Sequence, residues 1–286
     1  MRYLSFSFSL LIGLNIVIWG TIAVHMASAD LCLYFLDVGQ GDSQLIDLPE
    51  GGKILIDGGP GKETSFRLSR VLPWSDKYID LVLLTHAEKD HLGGLGDVIA
   101  RHQVGAFLWS GQDAVTEDWA ELRNILFERS IPLVQVGKGD RIIQGDSVLS
   151  VISPDPELPE NPSSNERSLV LILESEDAAV LYTADISTEI ENKLTAENDV
   201  NVDILKVAHH GSRFSTSPAF LEEASPAVAV IEVGDNNYDH PHRTTLQKLA
   251  MAGASIYRTD INGTISLLIR DGKIGVKVER QAGQSN

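Results

Sequence analysis

Histidines and acidic residues are concentrated in one six-residue stretch of the chain, His86-Ala87-Glu88-Lys89-Asp90-His91. This stretch directly follows the apolar run 79–84, whose composition predicts a buried strand. Imidazole and carboxylate groups supply the nitrogen and oxygen donors that bind zinc, manganese or a similar divalent ion. Four of its side chains are therefore candidate ligands: His86, Glu88, Asp90 and His91.

Two further segments with candidate ligands also follow predicted strands. Asp185 comes after the apolar run 180–183, and His209 and His210 come after the run 204–208. Because strand ends converge on one edge of a sheet, segments that are distant in the sequence can share one site. His209 follows its strand directly and is the preferred ligand, whereas His210 is expected to face the substrate.

These residue types predict hydrolytic chemistry. A divalent cation lowers the pKa of a bound water from about 15.7 toward about 7, which gives a nucleophile near neutral pH. Asp90 or Asp185 would position this water and accept its proton, and the metal together with His210 or Ser212 would stabilise the developing oxyanion. Other polar side chains near the strand ends are candidates for substrate binding: Lys206, Ser212, His240 and His242. Lys206 lies within its predicted strand, so a structural pair with an acid is an equal alternative for it.

The surrounding sequence predicts the elements that position these residues. Short β-rich runs separated by glycine and proline turns come first, and strands then alternate with helices predicted at 95–102, 117–129 and 244–252. The segment 153–165 holds four prolines and is predicted to be a surface loop. The chain thus has two halves, each with strands followed by helices, and this order predicts a sandwich of two sheets with helices on the outer faces.

Composition sets limits on the class of protein. The chain has 286 residues, of which 43% are hydrophobic and 22% charged, as in an ordinary folded domain. The formal net charge of −17 disfavours a broad basic face for nucleic acid. A bound divalent ion can nevertheless dominate the field in its own cleft, so a local phosphate-binding site remains compatible with this charge.

The amino terminus has the pattern of a targeting segment. Arg2 precedes the apolar segment 4–24, which is followed by the small-residue triplet Ala27-Ser28-Ala29. Either a cleaved signal peptide or an uncleaved membrane anchor fits this pattern. We therefore expect a targeting segment at 1–29 and an exported domain at 30–286, either secreted or anchored to the outer face of the cytoplasmic membrane.

Several stretches between residues 33 and 265 together resemble the metallo-β-lactamase superfamily, and within it most of all the extracellular domain of the competence DNA-uptake protein ComEC. The resemblance implies an α/β fold, a four-layer αββα sandwich of two mixed sheets with the metal at one edge. The stretches are FLDVGQGDS at 35–43, ILIDGG at 54–59, HAEKDHLGG at 86–94, TAD at 183–185, KVAHHGS at 206–212, HPH at 240–242 and YRTD at 257–260.

The resemblance also implies a set of metal ligands. Asp90, His91 and His209 would hold one divalent ion. Asp185 would bridge toward a second ion, which His86 would hold. The expected cofactor is thus one or two ions of Zn²⁺ or Mn²⁺.

Two further residues bear on this ligand set. Asp57 would orient the ligands from behind. Glu88 stands where the superfamily often has a second histidine, which leaves the His86 side of the site poor in nitrogen ligands.

The sequence therefore predicts an exported metal-dependent hydrolase, a phosphodiesterase or nuclease acting on DNA in a ComEC-like role. The expected partner is a phosphodiester substrate, with single-stranded DNA as the main candidate, and membrane attachment would use residues 4–24. Two alternatives stay open. One is a hydrolase of another small ester, such as a phosphorylcholine ester, a lactone or a β-lactam. The other is a catalytically weak metal-binding partner of a DNA-uptake machine.

Overall fold

The computed structural model describes residues 13, 15, 30–112, 116–155 and 163–280. Apart from residues 13 and 15, the predicted targeting segment 1–29 lies outside the described residues, as does part of the predicted loop 153–165. Among the residues that are described, no helix combines the length and the apolar composition needed to cross a membrane.

Fifteen strands in the described part of the chain form two sheets. The first sheet has the order β15-β14-β1-β2-β3-β4-β5-β6 and the second the order β13-β12-β11-β10-β9-β8-β7. The strands are β1 Leu31–Phe35, β2 Gln44–Asp47, β3 Lys53–Ile56, β4 Tyr78–Leu84, β5 Gln103–Trp109, β6 Leu133–Gln135, β7 Arg141–Gln144, β8 Ser147–Ser153, β9 Val170–Glu174, β10 Ala179–Tyr182, β11 Ile204–Lys206, β12 Val228–Ile231, β13 Ser255–Arg258, β14 Ile265–Arg270 and β15 Lys273–Val278.

Helices cover the outer face of each sheet. Leu68, Val98 and Leu122 pack three helices onto the first sheet, and Leu194 and Leu249 belong to the corresponding layer on the second. The helices are α1 Glu63–Val71, α2 Lys89–Leu92, α3 Leu95–Arg101, α4 Glu117–Glu128, α5 Thr188–Glu197, α6 Pro218–Ala224, α7 Arg243–Met251 and α8 Thr259–Asn262. The helices α1, α3 and α4 lie on the first sheet and α5, α6 and α7 on the second.

The largest apolar core lies between the two sheets. Phe35 of β1 and Tyr182 of β10 stack across it with ring centroids 6.3 Å apart. Strand β8 alternates buried and partly exposed residues along its length, because only one of its faces contributes to this core. The chain is therefore a four-layer αββα sandwich, and the fold expected from the resemblance is confirmed.

Both sheets are mixed, and their parallel regions are central to the site. Strands β3, β4 and β5 are parallel in the first sheet, and β10, β11 and β12 are parallel in the second. The segments that follow β3, β4, β10 and β11 contain Asp57, His86, Asp185 and the pair His209-His210. Parallel strands that end at one edge of each sheet therefore bring the candidate ligands close together.

Candidate metal centre

Four of the candidate residues form one compact cluster. Donor atoms of Asp90, His91, Asp185 and His210 all lie within 4.8 Å of one another. The Asp185 Oδ2 atom is 3.5 Å from the Nε2 atoms of both His91 and His210. The His210 Nε2 atom is also 3.4 Å from the Asp90 Oδ2 atom. Two nitrogens and two carboxylates thus point at one small volume.

The donor atoms of this cluster fit a divalent cation. The Nε2 atoms of His91 and His210 and the Oδ1 atom of Asp185 are buried and have no hydrogen-bond partner among the described residues. Buried polar atoms without a partner are uncommon, because their desolvation is not offset. Nitrogen and carboxylate oxygen donors are those that zinc and manganese accept, so a potential metal site is present.

Hydrogen bonds from behind fix the orientation of the His91 ring. Its Nδ1 atom lies 2.7 Å from the Asp57 Oδ2 atom. The Asp57 carboxylate also accepts hydrogen bonds from the backbone N–H of Thr85 at 2.8 Å and from the Thr85 hydroxyl at 2.7 Å. With Nδ1 engaged in this way, the Nε2 atom of His91 faces the cluster.

The His210 ring is held in a similar way from the second sheet. Its Nδ1 atom donates to the backbone carbonyl of Glu232 at 2.9 Å and lies 3.2 Å from the Asp42 Oδ1 atom. Asp42 is buried and paired with the ammonium group of Lys206. The arrangement leaves the Nε2 atom of His210 free to face Asp90 and Asp185.

Charges in the cluster favour a bound cation. Burial alone would raise the pKa of Asp185, but the attraction of His210 and His91 outweighs burial and holds the pKa well below its usual range. Burial alone would lower the pKa of His210, but Asp185 and Asp42 raise it to about 10. The carboxylates thus stabilise positive charge here, which either protons on the imidazoles or a metal ion in their place can supply.

The structure places His210, rather than the preferred His209, in the cluster. The side chain of His209 is 33% exposed, and its Nε2 atom lies 3.8 Å from the Asp185 Oδ2 atom. The strand ends at Lys206, and a tight turn over Ala208–Gly211 follows, in which both histidines have a left-handed φ of 52°. This turn directs His210 inward and leaves His209 at the wall of the site.

His86 and Glu88 lie beside the cluster and outside the four-residue group. The His86 ring is buried, with its centroid 4.0 Å from that of His91 and its Nδ1 atom 3.0 Å from the Thr85 hydroxyl. Burial, together with the repulsion of His91, lowers the pKa of His86 to about 3. The half-buried Glu88 lines the cavity above the cluster, and burial and the nearby Asp90 raise its pKa.

An open cavity of about 590 Å³ lies over the cluster. The side chain of Asp90 is 32% exposed, whereas Asp185 and His210 are almost fully buried at its floor. The cavity thus gives a small substrate or one segment of a polymer access to the cluster. Its walls include Gln40, Pro60, Glu88, Lys89, Thr116, Asp118, His209, Tyr238 and His240.

Of the four candidates for substrate binding, His240 alone lines this cavity. His242 instead caps helix α7, where its Nδ1 atom accepts a hydrogen bond from the backbone N–H of Thr244 at 3.2 Å. Ser212 and Lys206 are buried and do not line the cavity.

Glu232 and Tyr238 are functional candidates that the sequence analysis did not single out. Glu232 is fully buried and accepts a hydrogen bond from the backbone N–H of Ser43 at 2.9 Å. Its signal in the sequence is an acid inside the otherwise apolar run 228–233. Tyr238 lies two residues before His240 and lines the cavity, but loop tyrosines are too common to identify without a structure.

Comparisons with known proteins agree with this geometry. ComE operon protein 3 of Bacillus subtilis is 33% identical over 250 residues, which cover 80% of this chain and 32% of that protein. Recombination protein 2 of Haemophilus influenzae is 26% identical over 235 residues, which cover 80% of this chain and 28% of that protein. The chain thus spans about a third of the length of these curated relatives.

A solved structure and a family model match most of the described chain. The metallo-beta-lactamase fold protein YhfI from Bacillus subtilis superposes with a TM-score of 0.57 at 12% identity, covering 83% of this chain and 99% of that one. Residues 36–234 match the family model described as Metallo-beta-lactamase superfamily. The chain, which carries a potential metal site and has competence proteins among its relatives, therefore belongs to the metallo-β-lactamase superfamily.

Proposed function

We propose that this protein is an exported metal-dependent phosphodiesterase that acts on DNA in a role like that of ComEC. The observation that carries the proposal is the cluster of Asp90, His91, Asp185 and His210 at the floor of an open cavity. A divalent cation bound there would supply Lewis acidity toward a water and a phosphate oxygen. One relative is named Competence protein ComA, of Neisseria gonorrhoeae, and another Recombination protein 2, and these names support a role linked to competence and to DNA.

Each cluster residue has a distinct role in this proposal. His91, His210 and Asp185 are buried, so they would hold one cation of Zn²⁺ or Mn²⁺ without contacting solvent. Asp90 completes the ligand set, and its partly exposed carboxylate would orient the attacking water. His240 stands beside the cluster, and burial together with the repulsion of His209 lowers its pKa to about 4. Its neutral ring would donate a hydrogen bond to a phosphate oxygen.

The phosphodiesterase proposal has a direct test. The purified protein is freed of metal and then supplied with manganese, zinc or magnesium, together with single-stranded DNA or a small chromogenic phosphodiester. We expect hydrolysis only after metal is restored, and loss of that hydrolysis in Asp90→Ala. Thermal unfolding of Asp90→Ala serves as the control for folding.

Other outcomes of this test would reject the proposal. Turnover of a lactone, a β-lactam or a phosphorylcholine ester, without turnover of a phosphodiester, would assign the site to another class of ester. One tightly bound ion with no turnover of any ester would favour a metal-binding partner of an uptake machine.

A second prediction concerns Asp57, which orients His91. We expect Asp57→Asn to lower the affinity for the cation by about 10- to 100-fold, because loss of an outer carboxylate reduces the basicity and the order of the ligating ring. Calorimetric titration with Mn²⁺ measures this affinity. Asp97→Asn removes a surface carboxylate that pairs with Arg101 and serves as the matched control. Equal affinities in the two folded variants would contradict the assigned role.

Export is proposed from the sequence pattern at residues 1–29. In cells converted to spheroplasts, the domain at 30–286 should then be found in the released fraction or be digested by added protease. Amino-terminal sequencing separates the two forms of export, since cleavage after Ala29 would leave Asp30 as the first residue. A domain that stays inside the spheroplasts and resists protease until their membrane is lysed would contradict this part of the proposal.

A further inference from the structure

The loop that follows β12 is held in one conformation by a single amide side chain. The Asn236 Oδ1 atom accepts hydrogen bonds from the backbone N–H groups of Tyr238 at 3.0 Å and His240 at 3.1 Å. Its Nδ2 atom donates to the carbonyls of Gly234 at 2.8 Å and His240 at 2.9 Å. Four hydrogen bonds from one residue thus fix the path of the loop between residues 234 and 240.

Close backbone contacts anchor both ends of this loop. A Cβ atom at Gly234 would lie 2.3 Å from the carbonyl carbon of Gly39, so only glycine fits there without a backbone shift. At the other end the backbone N–H of His242 donates to the carbonyl of Gly211 at 2.9 Å. The loop is therefore attached to the turn that carries His210, and its side chains keep a fixed position relative to the cluster.

Tyr238 projects from this fixed loop and is 72% exposed, although it lines the cavity. Its ring centroid is 5.9 Å from that of His240, with the planes inclined by 35°. The His240 ring is in turn 6.3 Å from the ring of the cluster residue His210. A row of aromatic rings thus leads from solvent to the candidate metal ligands.

An exposed aromatic face beside a phosphodiesterase centre suits a nucleobase. Bases stack on aromatic side chains with little dependence on sequence, because every base has a flat π face. A base inside a duplex has both faces covered by its neighbours, whereas a base in a single strand can offer one. The net charge of −17 also disfavours the broad basic face that duplex binding uses.

We propose that Tyr238 is a stacking platform for a base next to the hydrolysed phosphodiester, and that it selects single-stranded nucleic acid over duplex. The inference rests on the proposed function and adds a specificity-determining residue to it. Tyr238 positions the strand so that the adjoining phosphate lies over the cluster, and His240 fills the space between the stacked base and that phosphate.

The test measures binding separately from cleavage. Fluorescence anisotropy gives the Kd of metal-loaded protein for a short phosphorothioate DNA strand that resists hydrolysis. The same strand is prepared as a duplex and as a series in which a single abasic sugar occupies successive positions. Wild type, Tyr238→Phe and Tyr238→Ala are compared. Trp74→Ala is the matched control, because it removes an exposed aromatic ring before β4, at the opposite end of that strand from the site.

We expect Tyr238→Ala to raise the Kd for the intact strand by about tenfold, in the range measured for loss of one stacked base. Tyr238→Phe keeps the ring, so its Kd should stay within about twofold of wild type. Strands with an abasic sugar opposite the platform should bind wild type and Tyr238→Ala with similar affinity. Wild type should bind the single strand more tightly than the duplex.

Three results would overturn the platform. The first is an unchanged Kd for the intact strand in Tyr238→Ala, and the second is an equal rise of that Kd in Tyr238→Phe. The third is a rise in Kd from wild type to Tyr238→Ala that has the same size at every position of the abasic sugar. The failure of the proposed function is distinguishable, since cleavage of an unmodified strand by wild type is measured independently. Binding in the expected pattern without any cleavage would support the platform while rejecting the phosphodiesterase.

Discussion

Replacing His210 with alanine is expected to abolish tight binding of the divalent cation, and hydrolysis with it. The His210 Nε2 atom is buried within 3.5 Å of carboxylate oxygens of both Asp90 and Asp185, and no other imidazole of the four-residue cluster approaches from the second sheet. The affinity should fall by more than the about 100-fold that loss of an outer-sphere partner causes, because a direct ligand is removed. Calorimetric titration with Mn²⁺ gives this affinity.

His209→Ala is the matched control, because it removes the neighbouring imidazole from the same turn. His209 lies at the cavity wall, so this variant should keep its cation even if substrate binding changes. Thermal unfolding with and without a chelator gives a second readout, since a ligand at 100 times its Kd stabilises the folded state by about 2.7 kcal/mol. Tight binding in His210→Ala together with loss of binding in His209→Ala would reverse the ligand assignment.

The histidine pair illustrates a limit of reasoning from sequence. Asp90, His91 and Asp185 could be expected to meet because each follows an apolar strand, and the ends of such strands share an edge. Which of two adjacent histidines turns inward depends on the backbone between strand and turn. Here β11 ends at Lys206, two residues earlier than the apolar pattern indicates, and the left-handed φ of both histidines sets their directions.

Strands and helices could be predicted from the sequence where their buried residues form a regular apolar pattern. The apolar run 79–84, predicted as a buried strand, becomes β4, and helices α3, α4 and α7 were predicted to within one residue at each end. All three residues of strand β6 are exposed, so this strand carries no buried pattern. Helix α5 was not predicted, partly because its buried face includes Glu191, whose carboxylate accepts a hydrogen bond from the backbone N–H of Ser217 at 2.9 Å. A buried acid interrupts the apolar periodicity that identifies a helix.

The buried charge of Lys206 is the basis of the second large effect that we expect, which is on the stability of the fold. The sequence leaves two roles open for this lysine, contact with substrate or a structural pair with an acid. The structure shows the second: Lys206 is 1% exposed, and its ammonium pairs with Asp42, donates to the carbonyl of Ala184 at 3.1 Å and lies 3.8 Å from the Asp185 Oδ1 atom. Burial alone would lower the pKa of Lys206, but Asp42 and Asp185 raise it, so the side chain is charged at neutral pH.

We expect Lys206→Met to lower the free energy of unfolding of the metal-free protein by about 3–5 kcal/mol, because it removes the buried ammonium group that pairs directly with the buried carboxylate of Asp42. Urea unfolding in the presence of a chelator measures this change. The double variant Lys206→Met/Asp42→Asn removes the charge of that carboxylate as well, and it should be more stable than the sum of the single effects by about 0.5–3 kcal/mol.

Lys193→Met provides the matched control for the loss of a lysine, because its ammonium group forms only a surface pair with Glu189 among the described residues. Its effect on the free energy of unfolding should stay within about 0.5 kcal/mol. A Lys206→Met variant as stable as Lys193→Met would mean that solvent or protons neutralise the buried carboxylates. The positive charge behind Asp185 would then be unnecessary for folding, and the account of the site as a balance between buried acids and buried cations would fail.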